Sequence, residues 1–388
     1  MIRLPPNFTL LQVTPELETG GAEQTTLDVA AAVVRAGGRS IVASRGGRMA
    51  AELTRSGAAM ALMPVQSKNP LTILANAARL AQLIEREKVT VVHARSRAPA
   101  FSALIAARAT GRPFLATYHG VYGGGGAVKR WYNAIMTRGE VVIANSEFTK
   151  AHVIAEHGID PARVVAIPRG VDLDRFDPAR VSAERLEALR AAWGVAADDP
   201  RVKILLAGRL TRWKGQGLLI AAAARLKAAG RRDFLIILAG DDQGRRAYRA
   251  ELEAQIAAAG LGEAVKLVGH CADMPAAYLI ADIVCAPSLE PEAFGRTAVE
   301  PQAMGRPVLA ADHGAARETV APGETGWLVA AGDAEAWAKA LAEAIDVGPE
   351  RRAAMGRAGA ARARKLYSVE AMCEATLKVY AGLAGRRA

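Results

Sequence analysis

At 388 residues the chain is too long for one ordinary core and suits two domains of average size. Its 51% hydrophobic content includes no apolar run of the roughly 18 residues that cross a bilayer, and its start lacks the cationic and long apolar regions of a secretory leader. Cys271, Cys285 and Cys373 form no CxxC and pair with no regular histidine spacing, so a reduced, cytoplasmic protein without structural zinc is expected.

Fifty basic residues against 39 acidic ones give a net charge of +11. Residues 1–180 hold 22 basic and 14 acidic residues, whereas the remainder hold 28 and 25. The basic N-terminal half fits an anionic partner: a phosphorylated substrate, an acidic membrane surface or nucleic acid.

From the start, short β-rich runs alternate with longer helical ones. FTLLQVT is followed by the helix-like GAEQTTLDVAAAVVRAG, then RSIVASR, AMALMPV, the amphipathic PLTILANAARLAQLIEREK and VTVVHARS. The rhythm continues through APAFSALIAARATG, PFLATYH, EVVIANS, SEFTKAHVIAEHG and VVAIPRG. Strands alternating with helices of this length imply a parallel sheet covered on both faces, hence a doubly wound domain.

The charged segment Val171 to Pro200, framed by Pro178 and Pro200, reads as a linker containing a helix. A second alternation then runs from VKILLAGR through KGQGLLIAAAARLKAAG, DFLIILAG, VKLVGH, DIVCAPS, PVLAA and GWLVA. The final helical pattern, with Met372, Leu377, Tyr380 and Leu383 on its apolar face, is expected to pack back on the first domain. The fold class is therefore α/β, with two Rossmann-like domains. Residues 1–175, joined by the helix at 367–388, make one; residues 176–366 make the other.

The most informative stretch is Glu292-Ala-Phe-Gly-Arg-Thr-Ala-Val-Glu300, which follows a strand directly. Gly295 accepts positive φ, and the residues after it read as a helix opening, whose unpaired N–H groups and dipole suit a phosphate. Glu335 and Glu343 repeat the carboxylate spacing, but on an alanine-rich run that reads as a solvated face. Arg209 and Lys214, bracketed by Gly208 and Gly215, flank another strand-to-helix loop, where both cations can reach one anion.

In the first half, Thr19-Gly20-Gly21 stands at the first strand-to-helix turn, either as a simple turn or as a place where a ligand approaches the backbone. No GxGxxG accompanies it, which removes the usual nicotinamide fingerprint. His119 ends a strand beside the glycine run 123–126, a loop composition suited to closing over a ligand. Asp172 and Asp174 spell a DxD but sit at the linker entrance, so they read as structural. The cluster Lys129-Arg130-Trp131-Tyr132 lacks the aromatic ladder of a nucleic-acid groove; it reads as a cationic helix touching anionic lipid or as a solvated face.

Seven ordered stretches, TGGAEQTTLDVAAAVVRAGG, ANSEFT, IPRGVDLDRFDP, AGRLTRWKG, LAGDDQG, the Glu292-to-Glu300 segment and GRPVLAADHGAARETVAPGETGWLV, resemble the retaining GT-B glycosyltransferases of the group 1, family 4 class. The resemblance implies two domains facing across a cleft, the C-terminal one holding a nucleotide diphosphate sugar and the N-terminal one most of the acceptor. It assigns Arg209 and Lys214 to the diphosphate and Glu292 to the donor sugar's hydroxyls. The N–H groups of Phe294, Gly295, Arg296 and Thr297 are assigned to sugar and phosphate, Glu300 to ribose, Gly20 and Gly21 to the phosphates, and His119 to the sugar near its reacting carbon.

No metal and no cofactor are required on this pattern, because the departing phosphate helps to deprotonate the acceptor. The expected partners are the nucleotide sugar and a lipid-linked, saccharide or glycolipid acceptor, with peripheral contact between the basic N-terminal domain and the anionic cytoplasmic face of the inner membrane, and no nucleic acid. Three positions depart from the family pattern. Arg169 stands where IPNGVD is commoner, HGAARE replaces a double-glycine version, and Pro301 follows Glu300 and deletes a helix donor. A nucleotide-sugar 2-epimerase of similar fold and a non-catalytic sugar-nucleotide binder are the competing classes.

Overall fold

The computed structural model describes residues 2–18, 20–122 and 126–385. Thr19 and the glycines at 123–125 lie outside the described residues, so the expected phosphate turn is described from Gly20 onward and the glycine-rich loop only at its flanks. The chain divides into two compact units, one formed by Met1–Gly170 with Val369–Ala388 and the other by Val171–Ser368.

The first unit contains β1 (Thr9–Val13), β2 (Arg39–Ser44), β3 (Ala59–Leu62), β4 (Val91–Ala94), β5 (Phe114–Tyr118), β6 (Val141–Ala144) and β7 (Val164–Ala166). All pair in parallel, in the order β3-β2-β1-β4-β5-β6-β7. Successive side chains of a strand point to opposite faces, and the packing follows that period. Leu11, Val13, Val92, Ala94, Phe114, Ala116, Val142 and Ala144 enter the core on one face, while Leu10, Val91, Leu115 and Ile143 enter the core on the other.

That second core is closed by the helix Val369–Gly385, which contributes Met372, Cys373, Leu377, Tyr380 and Leu383. Tyr380 anchors it. Its ring packs on Phe8, and its hydroxyl lies 2.6 Å from His93 Nδ1, whose Nε2 meets Thr117 Oγ1 at 2.7 Å. The expected return of the last helix to the first domain is thus built on a buried polar link as well as on apolar contact.

The second unit contains β8 (Val202–Ala207), β9 (Phe234–Ala239), β10 (Val265–Gly269), β11 (Ile283–Ala286), β12 (Val308–Ala311) and β13 (Gly326–Val329). They form a parallel sheet ordered β10-β9-β8-β11-β12-β13. Helices Gln216–Ala228, Arg246–Ala258 and Ala334–Asp346 cover one face, with Trp337 fully buried. The helices Met274–Ile280 and Arg296–Ala303 lie on the other.

The segment expected to be a linker is instead part of this second core. Val171, Phe176, Trp193 and Val195 are all buried against Leu205, Leu235 and Val284. Its helix, Ala183–Trp193, begins with Ser182 Oγ accepting from Arg185 N and ends at Gly194 with φ 59°. The charged residues that suggested a linker lie on the outer side of a helix that buries only Trp193. Asp172 of the DxD accepts from the N–H groups of Asp174 and Arg175, each at 3.0 Å, and so forms a turn.

Candidate active site

In an open parallel sheet the loops after two neighbouring strands diverge where strand order reverses, leaving a crevice at their carboxyl ends. In the second unit that point lies between β8 and β11. Two of the stretches singled out from the sequence follow those two strands: residues 208–215 after β8 and 287–295 after β11.

The loops are tied together at close range. Leu289 N donates to the Trp213 carbonyl at 2.6 Å. A Cβ on Gly215, which has φ 78°, would lie 2.0 Å from the Pro287 carbonyl oxygen, so only glycine lets the backbones approach. Buried Gln216 holds the first loop from below, donating from Nε2 to the Arg209 carbonyl at 2.9 Å.

Lys214 and Glu292 meet across this junction, Nζ to Oε1 at 2.5 Å, with side chains 13% and 21% exposed. Ser288 Oγ donates to the same Oε1 at 2.8 Å, and the Lys214 ammonium also lies 4.3 Å from the Trp213 ring centroid. An ammonium has three donors, so engagement with Glu292 leaves capacity for an anion's oxygens. Arg209 is exposed at the rim of the same loop.

The Glu292 backbone is fixed by the loop after β12. Ala315 N donates to the Glu292 carbonyl at 2.9 Å, and a Cβ on Gly314, at φ 60°, would lie 2.6 Å from that oxygen. Gly314→Ala combines this clash with a left-handed backbone conformation costing about 1–3 kcal/mol. It should lower the denaturation midpoint of the second unit and displace Glu292, read as a loss of activity larger than the loss of folded protein.

Gly295, at φ 78°, turns the chain into the helix Arg296–Ala303. The first N–H that closes back is Ala298, onto the Gly295 carbonyl at 2.9 Å. The N–H groups of Phe294 to Thr297 stand ahead of it, at the positive end of the dipole. Phe294 is buried edge-on against Tyr367 with centroids 5.7 Å apart, so its side chain is structural while its backbone faces the turn.

Because the helix begins at Arg296, Pro301 is its sixth residue and withholds the donor that would serve the Thr297 carbonyl. Glu300 is 8% exposed and turned into the unit. Arg296 Nε donates to its Oε1 at 2.8 Å and Tyr278 OH to its Oε2 at 3.0 Å. Burial, then the adjacent carboxylate, push the Tyr278 phenol well above its ordinary value, so it remains a donor to Glu300. Of the expected site residues in this unit, only Phe294, at 3%, is more enclosed than Glu300.

Two residues of this site escaped the sequence reading. Ser288 bridges Glu292 on one side, and its carbonyl meets His313 Nε2 at 2.9 Å on the other. Ser288, Glu292, Gly295, Thr297 and His313 line one small pocket. Ser288 lies four residues before Glu292 and carried a usable signal, but His313 arrives from the end of a neighbouring strand.

In the first unit, Gly20 opens the helix Gly21–Arg35 after β1, its carbonyl accepting from Gln24 N at 3.0 Å. His119 follows β5. Its carbonyl accepts from Asn145 Nδ2 at 3.2 Å and Arg169 Nη2 at 3.0 Å, and both ring nitrogens are buried without a hydrogen-bond partner among the described residues. His93, enclosed by Tyr380 and Thr117, is structural. The repeated carboxylate pair separates as well: Glu335 pairs with Lys339 on the surface, whereas Glu343 accepts from Trp327 Nε1 at 2.8 Å.

Two Rossmann-like α/β units, the second carrying a cation, a carboxylate and a helix opening at its switch point, define a doubly wound protein whose crevice suits an anionic, hydroxyl-rich ligand. Family models agree. Residues 190–362 match the glycosyl transferases group 1 and residues 19–175 match glycosyltransferase family 4. A glycosyltransferase from Rickettsia africae ESF-5 superimposes with a TM-score of 0.89 and 35% identity over 98% of this chain and 99% of that one. The chain belongs to the group 1, family 4 glycosyltransferases, of GT-B architecture.

Anabaena Alr3699/HepE, solved in complex with UDP-glucose, has a TM-score of 0.80 and 25% identity, covering 97% of this chain and all of that one. A D-inositol 3-phosphate glycosyltransferase of Kineococcus radiotolerans is 37% identical over 253 residues, 62% of this chain. The match spans only 56% of that relative's length.

Proposed function

We propose that the chain transfers a sugar, with retention of configuration, from a nucleotide diphosphate sugar to a hydroxyl of a lipid-linked or polysaccharide acceptor. The observation that carries this reading is the Lys214–Glu292–Ser288 cluster beside the helix opening at Gly295. Breaking a sugar–phosphate bond builds negative charge on the diphosphate, so fixed cations and backbone donors stabilise the transition state more than the ground state. Lys214, Arg209 and the N–H groups from Phe294 to Thr297 supply them. Glu292, an acceptor already polarised by Lys214, suits the hydroxyls of the sugar.

The UDP-glucose complex of the Anabaena protein supports a nucleotide sugar as donor. His119, Gly20 and Gly21 take their roles from the family pattern. Glu300 reaches a ribose hydroxyl only with the lone pairs that Arg296 and Tyr278 leave over. No metal enters this scheme, since the cations and the helix opening meet the charge.

Contact with an anionic membrane is part of the same proposal. Leu71, Leu74, Val128 and Trp131 are exposed, and Leu74, Phe101, Trp131 and Tyr132 line an apolar groove bordered by Lys68. Such a basic and apolar surface suits a lipid headgroup region.

A thermal-shift panel of nucleotide sugars tests the donor. One should raise the midpoint by stabilising the fold as its occupancy dictates, by about 2.7 kcal/mol at a hundred times Kd, and should then be consumed only when acceptor is supplied. Equal, negligible shifts for every UDP- and GDP-sugar would defeat the reading, and epimerisation of the donor alone would replace it with the epimerase class.

A further inference from the structure

Behind His119 the first unit gathers positive charge that the proposed reaction does not use directly. Arg95, 3% exposed at the end of β4, sends its described hydrogen bonds to the neutral Gln12 side chain, from Nε at 2.8 Å and from Nη2 at 2.5 Å. Arg169 follows β7 and donates to the His119 carbonyl at 3.0 Å, opposite Asn145, which follows β6 and donates to the same oxygen at 3.2 Å. Arg95, Thr117, His119, Asn145, Arg169 and Thr376 line one small pocket, and no acidic side chain lines it. Loops after four adjacent strands, β4 to β7, thus converge on one residue.

We infer that Arg169 is a positioning residue for His119: with Asn145 it clamps the His119 carbonyl, and with Arg95 it excludes a further positive charge from the pocket behind the imidazole. The consequence is chemical. A neutral imidazole keeps one acceptor and one donor nitrogen, so it can meet a sugar hydroxyl in either sense, whereas an imidazolium only donates. An imidazolium would also oppose the positive charge that develops on a sugar as its bond to phosphate breaks.

Burial first, then Arg169 and Arg95, hold the imidazole well below its ordinary value. Asp28 places a negative charge toward Arg95, whereas His119 itself feels burial, Arg169 and Arg95; burial pushes His93 well down and Tyr122 up. Sign follows from this. His119 is neutral in the folded chain even where the unfolded chain, near its ordinary value of about 6.5, takes up a proton, so the folded state loses stability as pH falls below that value. By the family pattern asparagine is commoner at position 169 and carries no charge, so the electrostatic half of this device goes with the arginine found here.

The role of His119 in transfer rests on the reading above, but the action of Arg169 on it is measurable without turnover. Carbon-edited NMR of the six histidines against pH, with His119→Gln used to assign its signal, should show His119 neutral where exposed histidines are already protonated. In Arg169→Gln that titration should move up toward about 6.5. In the same variant kcat should fall about fivefold more at pH 6 than at pH 8, with donor KM within about twofold. Arg169→Lys keeps the charge, so it should restore the titration while kcat stays reduced at both pH values because the carbonyl clamp is altered.

An ordinary titration of His119 in the wild-type protein, or an unchanged one in folded Arg169→Gln, overturns the inference. If Arg169→Gln does not fold, an upward shift in Arg169→Lys overturns it equally. A titration that moves as expected with transfer unaffected at every pH supports the positioning by Arg169 and removes His119 from the reaction.

Discussion

Glu292→Ala and Lys214→Ala should each lower kcat/KM for sugar transfer by about 10² to 10³, the cost typical of removing one preorganised electrostatic partner of a transition state. The two variants fail for different reasons. Glu292→Ala frees Lys214 and removes the acceptor for a sugar hydroxyl, so the diphosphate still binds and kcat carries most of the loss. Lys214→Ala leaves a carboxylate, still held by Ser288, where a phosphate must approach, so donor affinity falls as well.

Stability separates a site role from a merely structural one. The pair is largely but not fully buried, so stranding either partner should cost less than the 3–5 kcal/mol of a fully enclosed pair, about 1–2 kcal/mol. The double variant Lys214→Ala/Glu292→Ala should recover part of that stability while remaining inactive. Wild-type turnover in either single variant would sink the assignment.

Tyr380→Ala should destabilise the first unit by about 3–5 kcal/mol, the range for emptying a buried aromatic site. Tyr380→Phe isolates the polar part. It keeps the contact with Phe8 but leaves His93 Nδ1 buried without its hydroxyl, worth about 1–3 kcal/mol. In denaturant the transition of the first unit should move while that of the second, to which Tyr380 does not belong, stays in place. A Tyr380→Ala protein within about 1 kcal/mol of wild type would contradict the core described for this helix.

The strands were legible because parallel strands covered on both faces are short apolar runs between helical ones, and each of the thirteen among the described residues fell within an expected run. The segment from Val171 to Pro200 was misread because its four buried residues, Val171, Phe176, Trp193 and Val195, are scattered among charges and follow no single period. Within the site, Arg209, Lys214, Glu292 and Gly295 could be found because each lies in a loop flanked by strand and glycine. His313 could not, since it reaches Ser288 across 25 residues of chain through the pairing of β11 with β12. Arg95 was hidden in the same way, and Arg169, marked in the sequence as a departure from the family pattern, gave no sign of meeting His119 until the order of β4 to β7 gathered both around it.

The helix Val369–Gly385 also dictates an order of events during synthesis. Domains generally fold as units, N-terminal first, as the chain is made, but here the first unit lacks one wall of its core until the second has been translated. At about 5–20 residues per second, the roughly 200 residues from Val171 to Ser368 impose a delay of about 10–40 s. Through that interval Leu10, Val91, Leu115 and Ile143 have only the helix Gly21–Arg35 on their face, through Val29, Ala32 and Val33, and lack the wall that Val369–Gly385 supplies. The contiguous second unit can complete first, and the nascent first unit is the stretch on which a chaperone would act.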